Sequence, residues 1–180
     1  GLAERPGAHV LFSAHSIPVA MAARCRYEAQ LAESARLVAE AAGARAWQVV
    51  YQSRSGPPHV PWLEPDVCDA IARLGREGAR DVVVAPLGFV SDHVEVLYDL
   101  DVEAAEAAAA AGLGFTRVPS VGTHPAFVAM VAELVRERLD PALPRRAVGR
   151  HGPSHDTCPP GCCLPGSGRP SPWDAATRAA

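Results

Sequence analysis

The 180-residue sequence lacks the features that mark several large classes of protein. It has no apolar run near the roughly 20 residues that a membrane-spanning helix needs, and its first residues lack the charged and apolar pattern of a secretory signal. Its 17 basic residues are outnumbered by 20 acidic ones, so there is no excess of positive charge for binding nucleic acid. We therefore expect a cytoplasmic protein with no transmembrane segment and no nucleic-acid partner.

Two common catalytic motifs are also missing. No G-x-S-x-G elbow surrounds any serine, and no glycine-rich phosphate loop follows the first predicted strand. Ordinary nucleophilic catalysis by serine is therefore not indicated.

What the sequence does contain is a regular alternation of short apolar runs with longer stretches rich in Ala, Glu and Arg at helical spacing. The predicted strands are 8–13, 46–51, 81–86 and 115–118, and the predicted helices are 27–42, 65–76, 91–111 and 125–139. The strands alternate little, which indicates a parallel sheet with helices on both faces. We predict an α/β fold with a four-stranded parallel, flavodoxin-like sheet in the order 2-1-3-4.

The composition changes after Leu139, where Pro, Gly, Ser and Arg become frequent. Eight prolines between 141 and 172 leave no room for a regular element of useful length. We expect residues 1–140 to form one α/β domain and residues 141–180 to form a largely irregular tail.

Chemically active residues follow two of the predicted strands. The first strand runs into His15 and is stopped by Pro18, while the third runs into a loop where Ser91 or Asp92 should cap the next helix. In the order 2-1-3-4 these strands are neighbours beside the switch point, where ligands bind in such sheets. His15 and Glu95 should therefore face one cleft.

Three acidic residues follow on the predicted helix at intervals of four: Glu95, Asp99 and Glu103. An α-helix would place them along one face with no Lys or Arg among them. A solvated acidic stripe explains this spacing, and His15 and His93 alone would fit ordinary hydrogen-bonded histidines. Together, however, these groups suit transient binding of ferrous iron or a related divalent cation, and both interpretations stay open.

The loop after the second strand contains an aromatic residue, a polar strip and a second aromatic residue. Its members of interest are Tyr51, Gln52, Ser53 and Trp62. One interpretation is an ordinary Gly/Pro loop in which Trp62 covers the core. The other is a flat wall for a large aromatic ligand.

Four segments, LFSAHSIP, YQSRSGPP, PWLEPD and GFVSDHVEVLYDLD, resemble the motifs of ferrochelatases in order and spacing. The resemblance runs from Val10 to about Leu139 and extends to actinobacterial members, which are thought to act on coproporphyrin III. It implies a lyase of haem biosynthesis that inserts ferrous iron, its substrate, into coproporphyrin III or protoporphyrin IX. Tyr51 stands where many relatives carry Trp, and the loop after Pro18 is shorter than usual.

The resemblance also implies roles for individual residues. The catalytic residues would be His15 and Glu95. The metal-binding residues would be His15, Glu95, Asp99 and Glu103. The supporting residues would be Asp92 and His93. The porphyrin-binding residues would be Tyr51, Gln52, Ser53 and Trp62.

Three of the five cysteines cluster in the tail, namely Cys158, Cys162 and Cys163. Cytosolic proteins rarely keep disulfides, so clustered thiolates point to metal or iron–sulfur ligation, although incidental cysteines in a disordered tail remain an alternative. The resemblance implies three ligands of a 2Fe–2S cluster. The fourth is expected upstream of Gly1, since Cys25 and Cys68 are poorer candidates.

Complete relatives have two similar α/β domains with the porphyrin between them, so the resemblance implies the carboxyl-terminal half of such an enzyme. The missing amino-terminal half would then be its partner. One alternative is a half-length chelatase that pairs two copies and acts on cobalt or a sirohydrochlorin-type ring. Another is a non-catalytic flavodoxin-like binding module, which could lose the His15 and Glu95 pair freely because only packing would matter.

Overall fold

The sheet of this protein is parallel and has the predicted strand order. The computed structural model describes Arg5 and residues 7–157. Its strands are β1 (His9–His15), β2 (Trp47–Gln52), β3 (Asp81–Ala85) and β4 (Gly114–Arg117). They pair in the order β2-β1-β3-β4, and every pairing is parallel. The predicted α/β fold and the order 2-1-3-4 are confirmed.

The helices fall close to the predicted segments. They are α1 (Val19–Ala22), α2 (Tyr27–Ala42), α3 (Val67–Arg76), α4 (Val94–Val96), a π-helix (Leu97–Ala104), α5 (Ala105–Ala110) and α6 (Pro125–Leu139). The start of α3 is set by Asp66, whose side chain accepts a hydrogen bond of 2.8 Å from the Cys68 N–H. This cap explains why α3 begins two residues after the predicted start at Pro65.

The predicted helix 91–111 is not a single α-helix, because its middle part is π-helical. A π-helix bonds residue i to i+5, so its turn holds more residues than the 3.6 of an α-helix. A step of four residues then falls short of a full turn instead of passing it. The prediction of one α-helix over 91–111 is therefore wrong in its middle part.

Both faces of the sheet are covered. On one face, Leu11, Val50 and Val84 pack with residues of α3, the π-helix and α5. On the other face, Val10 and Phe12 pack with residues of α2. Because side chains alternate along a strand, His15 at the end of β1 lies on the face that carries Leu11.

The last helix, α6, differs from the others because none of its residues is buried. Its apolar side chains are exposed, namely Val128, Met130, Val131, Leu134, Val135 and Leu139. We call these six residues the apolar face of α6. Glu133 is only half-exposed and lies 3.4 Å from the guanidinium of Arg146.

Residues 140–157 form no helix or strand. They return to α2, where the Arg150 N–H donates to Glu33 Oε1 at 2.9 Å and the His151 ring lies 3.1 Å from the Ala29 carbonyl oxygen. Within the described range, none of the helices has both the length and the apolar character needed to cross a membrane.

Gly88 should be required for the close approach of the loop after β3 to β1. Its N–H donates to the Ser13 carbonyl at 3.0 Å, and an added Cβ would lie 2.7 Å from Ala14 Cβ. We expect Gly88→Ala to lower the free energy of unfolding by about 1–3 kcal/mol, as overpacking does. The control is Gly43→Ala, where φ is +68° and no atom lies within 4 Å, so only a backbone cost of about 1 kcal/mol applies. Urea denaturation would contradict the prediction if Gly88→Ala were the milder change.

Candidate active site

His15 is held in one orientation at the carboxyl end of β1. Its Nδ1 lies 2.5 Å from the Ser16 carbonyl oxygen, and the Tyr27 hydroxyl donates to the His15 carbonyl at 2.8 Å. A carbonyl only accepts, so Nδ1 carries the proton and donates it. In the neutral ring Nε2 is then left with a free lone pair.

Glu95 of α4 faces this lone pair. Its Oε1 lies 3.3 Å from His15 Nε2, and the two side chains are 42% and 36% exposed. A carboxylate oxygen and an unprotonated imidazole nitrogen are both acceptors, so their proximity is favourable only when a proton or a cation lies between them. The pair is therefore suited to accept a proton or to bind a metal ion, and a ligand at the sheet edge can reach it.

A second polar cluster lies beneath this pair, between β2 and the π-helix. Asp99 accepts hydrogen bonds from Gln52 Nε2 at 3.2 Å and from the Ser53 hydroxyl. Ser53 has a φ of +62°, a strained conformation for a non-glycine residue, and its contact with Asp99 helps to hold it. Gln52 Oε1 and Ser13 Oγ are buried with no hydrogen-bond partner in the part of the chain that the structure describes. Polar atoms thus continue from the His15–Glu95 pair into the interior.

Asp92 does not have the capping role predicted for it. The residue before α4 is His93, and no side chain caps this helix. Asp92 instead accepts from the Ser120 N–H at 3.0 Å and from Arg117 Nη1 at 2.9 Å. These contacts, with Ser120 first and Arg117 next, lower the pKa of Asp92 to about 2. The predicted cap is wrong because a cationic partner on β4 takes the carboxylate.

His93 lies beside the site on the surface. Its ring is edge-on to Phe89, with centroids 5.5 Å apart and planes at 63°. Phe89 belongs to the core that packs under the π-helix. His93 is therefore anchored by an aromatic contact at the start of the helix.

The four residues predicted to bind metal occupy separate positions. His15 and Glu95 form a pair, Asp99 is bonded to β2, and Glu103 is exposed. Within the described residues, no group of three His, Cys, Asp or Glu side chains is arranged to hold a metal ion. The arrangement is a series of single acidic positions and not a closed metal cage.

Tyr51 does not line the same cleft. It is 5% exposed, and it packs with Ala14, Leu31 and Leu63 on the α2 face of the sheet. Burial raises the pKa of Tyr51 to about 12. The prediction that Tyr51 forms part of an exposed wall is wrong, because β2 extends to Gln52 and alternation points its two last residues to opposite faces.

Gln52 and Trp62 have different positions relative to the cleft. Gln52 is 1% exposed, so it lies below the cleft and contacts Asp99. Trp62 is half-exposed, and its indole covers Gly56 so closely that a side chain there would have no room. Trp62 lines an open groove of about 650 Å³ together with Arg54. Of the four predicted wall residues, Tyr51 and Gln52 are buried, whereas Ser53 and Trp62 are half-exposed.

The predicted iron–sulfur ligands, Cys158, Cys162 and Cys163, lie outside the described residues. The structure describes the other two cysteines, and neither forms a hydrogen bond with His15 or Glu95. Cys25 is exposed, and Cys68 packs against the core, where burial raises its pKa to about 12.

Sequence reasoning missed Arg117 and Ser13. Arg117 ends β4 and binds Asp92 and Asp101, while Ser13 is a fully buried polar residue on β1. In the sequence, Arg117 is a single charged residue at the end of a short apolar run, and Ser13 is a hydroxyl residue within another. Neither signal specifies a partner.

Comparison with known proteins finds one matching family and relatives with related names. The family described as Ferrochelatase matches residues 2–139. A ferrochelatase of Rhodopirellula baltica is 56% identical over 156 residues, which are 86% of this chain and 44% of that protein. A coproporphyrin III ferrochelatase of Streptomyces griseus is 48% identical over 178 residues, covering 88% of this chain and 48% of the relative. The chain thus spans about half the length of these curated relatives.

One solved structure is also similar. It is a putative cobalamin biosynthesis protein, CbiX, from Marinobacter aquaeolei, with 17% identity and a TM-score of 0.49. The similarity covers 74% of this chain and 98% of that one.

Asp92 should make the stability of the fold depend on acid pH. Its ordinary pKa of 3.8 falls to about 2 in the folded chain, so the charged carboxylate stabilises the folded state. This stabilisation is complete above about pH 4 and is lost as the pH falls towards 2. Unfolding free energies of the wild type and of Asp92→Asn should therefore differ most near neutral pH and converge near pH 2. Glu106→Gln, at an exposed position on α5, is the control, and a difference that does not change with pH would contradict the prediction.

Proposed function

This chain belongs to the ferrochelatase family, and we propose that it is the half of such an enzyme that presents His15 and Glu95 to a metal ion entering a porphyrin. The reaction is the insertion of ferrous iron, as substrate, into the ring in haem biosynthesis. Several relatives are named as coproporphyrin III ferrochelatases, which favours coproporphyrin III as the substrate. Protoporphyrin IX is the other candidate. The observation that carries the proposal is the 3.3 Å approach of His15 Nε2 to Glu95 Oε1.

Metal insertion releases two pyrrole protons as one dication enters the ring. The His15–Glu95 pair offers two acceptors at one position, the Nε2 lone pair and the carboxylate. Both side chains are partly exposed, so the protons can pass on to water. The hydrogen bond from Nδ1 to Ser16 keeps Nε2 as the acceptor.

A hydrated iron ion must also lose water before it enters the ring. We propose that Glu103 and Asp99 offer oxygen ligands in turn and so lower the cost of this exchange. Glu103 is exposed, whereas Asp99 is held by the neutral donors of Gln52 and Ser53 and keeps its charge available for a cation. Asp92 and His93 support the helix start and do not bind metal in this proposal.

Trp62 is the porphyrin contact that we propose. Trp62 lines the groove of about 650 Å³ beside the chain that follows β1, and an indole suits stacking on a large flat ring. The Leu63 N–H donates to the Ile17 carbonyl at 3.0 Å, which ties the Trp62 loop to the His15 segment. Gln52 and Ser53 act below the ring by fixing Asp99.

We propose that a second α/β half completes the cleft. Relatives are about twice as long as the part that this chain matches, and the apolar face of α6 is exposed to water. Contiguous exposed apolar surface on a helix marks a contact with another protein surface. Family membership favours this arrangement over a half-length chelatase for cobalt or a sirohydrochlorin-type ring.

Substitutions at His15 and Glu95 test the function. In a protein of the relatives' full length, His15→Ala and Glu95→Gln should each lower kcat for iron insertion at least about 100-fold, since each removes a proton acceptor. Anaerobic assays that follow haem absorbance measure the rate, and circular dichroism checks the fold. Glu106→Gln should change neither, and the 180-residue chain alone should insert no iron. Retention of more than half the activity by both variants would contradict the proposal.

We further propose a 2Fe–2S cluster on Cys158, Cys162 and Cys163, and a cytoplasmic location, from the sequence alone. Thiolates ligate such clusters and couple them to local order, and the cluster absorbs visible light. In the full-length protein prepared without oxygen, Cys162→Ser or Cys163→Ser should remove the visible absorption, whereas the control Cys25→Ser should keep it. A wild type that stays colourless when iron and sulfide are supplied would exclude the cluster.

A further inference from the structure

Arg117 is the most highly bonded side chain near the candidate site. Its Nε and Nη2 donate to the two carboxylate oxygens of Asp101, each at 2.7 Å, and its Nη1 donates to Asp92 at 2.9 Å. The side chain is 13% exposed. Every nitrogen of the guanidinium is therefore engaged, in a two-pronged contact with one acid and a single contact with the other.

These two acids lie on either side of Glu95 in the chain. Asp92 comes three residues before it, in the loop that leads into α4, and Asp101 comes six residues after it, in the π-helix. Arg117 itself is fixed to the sheet, because β4 pairs with β3 with Val84 opposite Arg117. One side chain thus ties both ends of the Glu95 segment to the sheet.

The core side of this segment is held by the buried side chains of Val96 and Leu100, whereas its start has no side-chain cap. The helix α4 is only three residues long. The Glu95 side chain is 42% exposed, and within the described residues its one ion pair is with His15. The position of its carboxylate therefore depends on the backbone around it, which Arg117 holds from the opposite side.

Arg117 also divides the acids of this region into two groups. Asp92 and Asp101 are neutralised by the guanidinium, which raises the pKa of Arg117 mainly through Asp101. Glu95 and Asp99 face His15, Gln52 and Ser53 and have no Arg partner within the described residues. Glu95 and Asp99 therefore keep a negative charge that no arginine of the described residues neutralises.

We propose that Arg117 is a positioning residue for metal insertion, which through Asp92 and Asp101 fixes the helix start that aims Glu95 at His15. This inference rests on the proposed function of the same site. It assigns Arg117 no contact with iron or porphyrin, and it predicts that the effect of Arg117 passes through Glu95.

A double-mutant cycle in the full-length protein tests this dependence. Arg117→Met should lower kcat about 10-fold or more with little change in the KM for porphyrin, because a small misplacement of a reacting group is costly. Arg117→Lys should recover only part of the rate, since an ammonium cannot make the two-pronged contact. Arg117→Met added to Glu95→Gln should cost little more than Glu95→Gln alone. Arg73→Met, which removes the contacts of Arg73 on α3 with Glu77 and Gln48, is the control and should not change kcat.

A second measurement does not depend on activity. In the 180-residue chain, the ¹⁵N shift of His15 Nε2 should change in Arg117→Met in the same direction as in Glu95→Gln, and should not change in Arg73→Met. If Arg117→Met does not fold, Asp101→Asn replaces it, since it removes only one of the two carboxylates. An unchanged His15 signal, or multiplicative losses of kcat in the double mutant, would overturn the inference. A full-length wild type that inserts no iron would instead overturn the proposed function, and the spectroscopic test of Arg117 in the 180-residue chain would then decide the inference.

Discussion

The parallel pairing of β1 with β3 is the constraint on which the candidate site depends. Parallel neighbours end at the same edge, so the chain leaving β1 at His15 and the chain leaving β3 towards Glu95 emerge side by side. The hydrogen bond from Gly88 to Ser13 then holds the second chain against the first. His15 and Glu95 are 80 positions apart in the sequence, yet His15 Nε2 and Glu95 Oε1 lie 3.3 Å apart because the two strands run in the same direction. The loops add only the final orientation of the side chains.

Much of this framework could be predicted from the sequence, because apolar periodicity is a local property. The strand segments and the bounds of α2 follow from apolar runs that core packing enforces. The order 2-1-3-4 follows from the usual topology of a small doubly wound sheet, and it places His15 and Glu95 at one edge. Tyr51 shows the limit of such reasoning. The predicted strand already contained Tyr51, but its apolar run does not say which face of the sheet each residue meets. Pairing with Ala14 places Tyr51 on the α2 face, where it is buried.

Interactions between distant side chains were beyond prediction for a different reason. The sequence shows Asp92 just before a helix, where capping is the common local outcome, and nothing local names Arg117 as the stronger partner. The π-helix has a similar origin. Its residues have ordinary helix-forming character, so nothing local indicates the wider turn, within which Asp99 is bonded to Gln52 and Ser53. Both features set the chemistry of the site more than they set the fold.

In the proposed enzyme of two halves, the partial exposure of the His15–Glu95 pair would have a consequence for catalysis. Two acceptors 3.3 Å apart repel weakly while water surrounds them, because a high dielectric screens the interaction. A second half that covered this edge would lower the local dielectric, and the same two atoms would then attract a proton or a metal ion far more strongly. Closure would therefore raise the affinity of the pair for a cation at the moment when the porphyrin is in place, without any change in the positions that β1, α4 and Arg117 have already set.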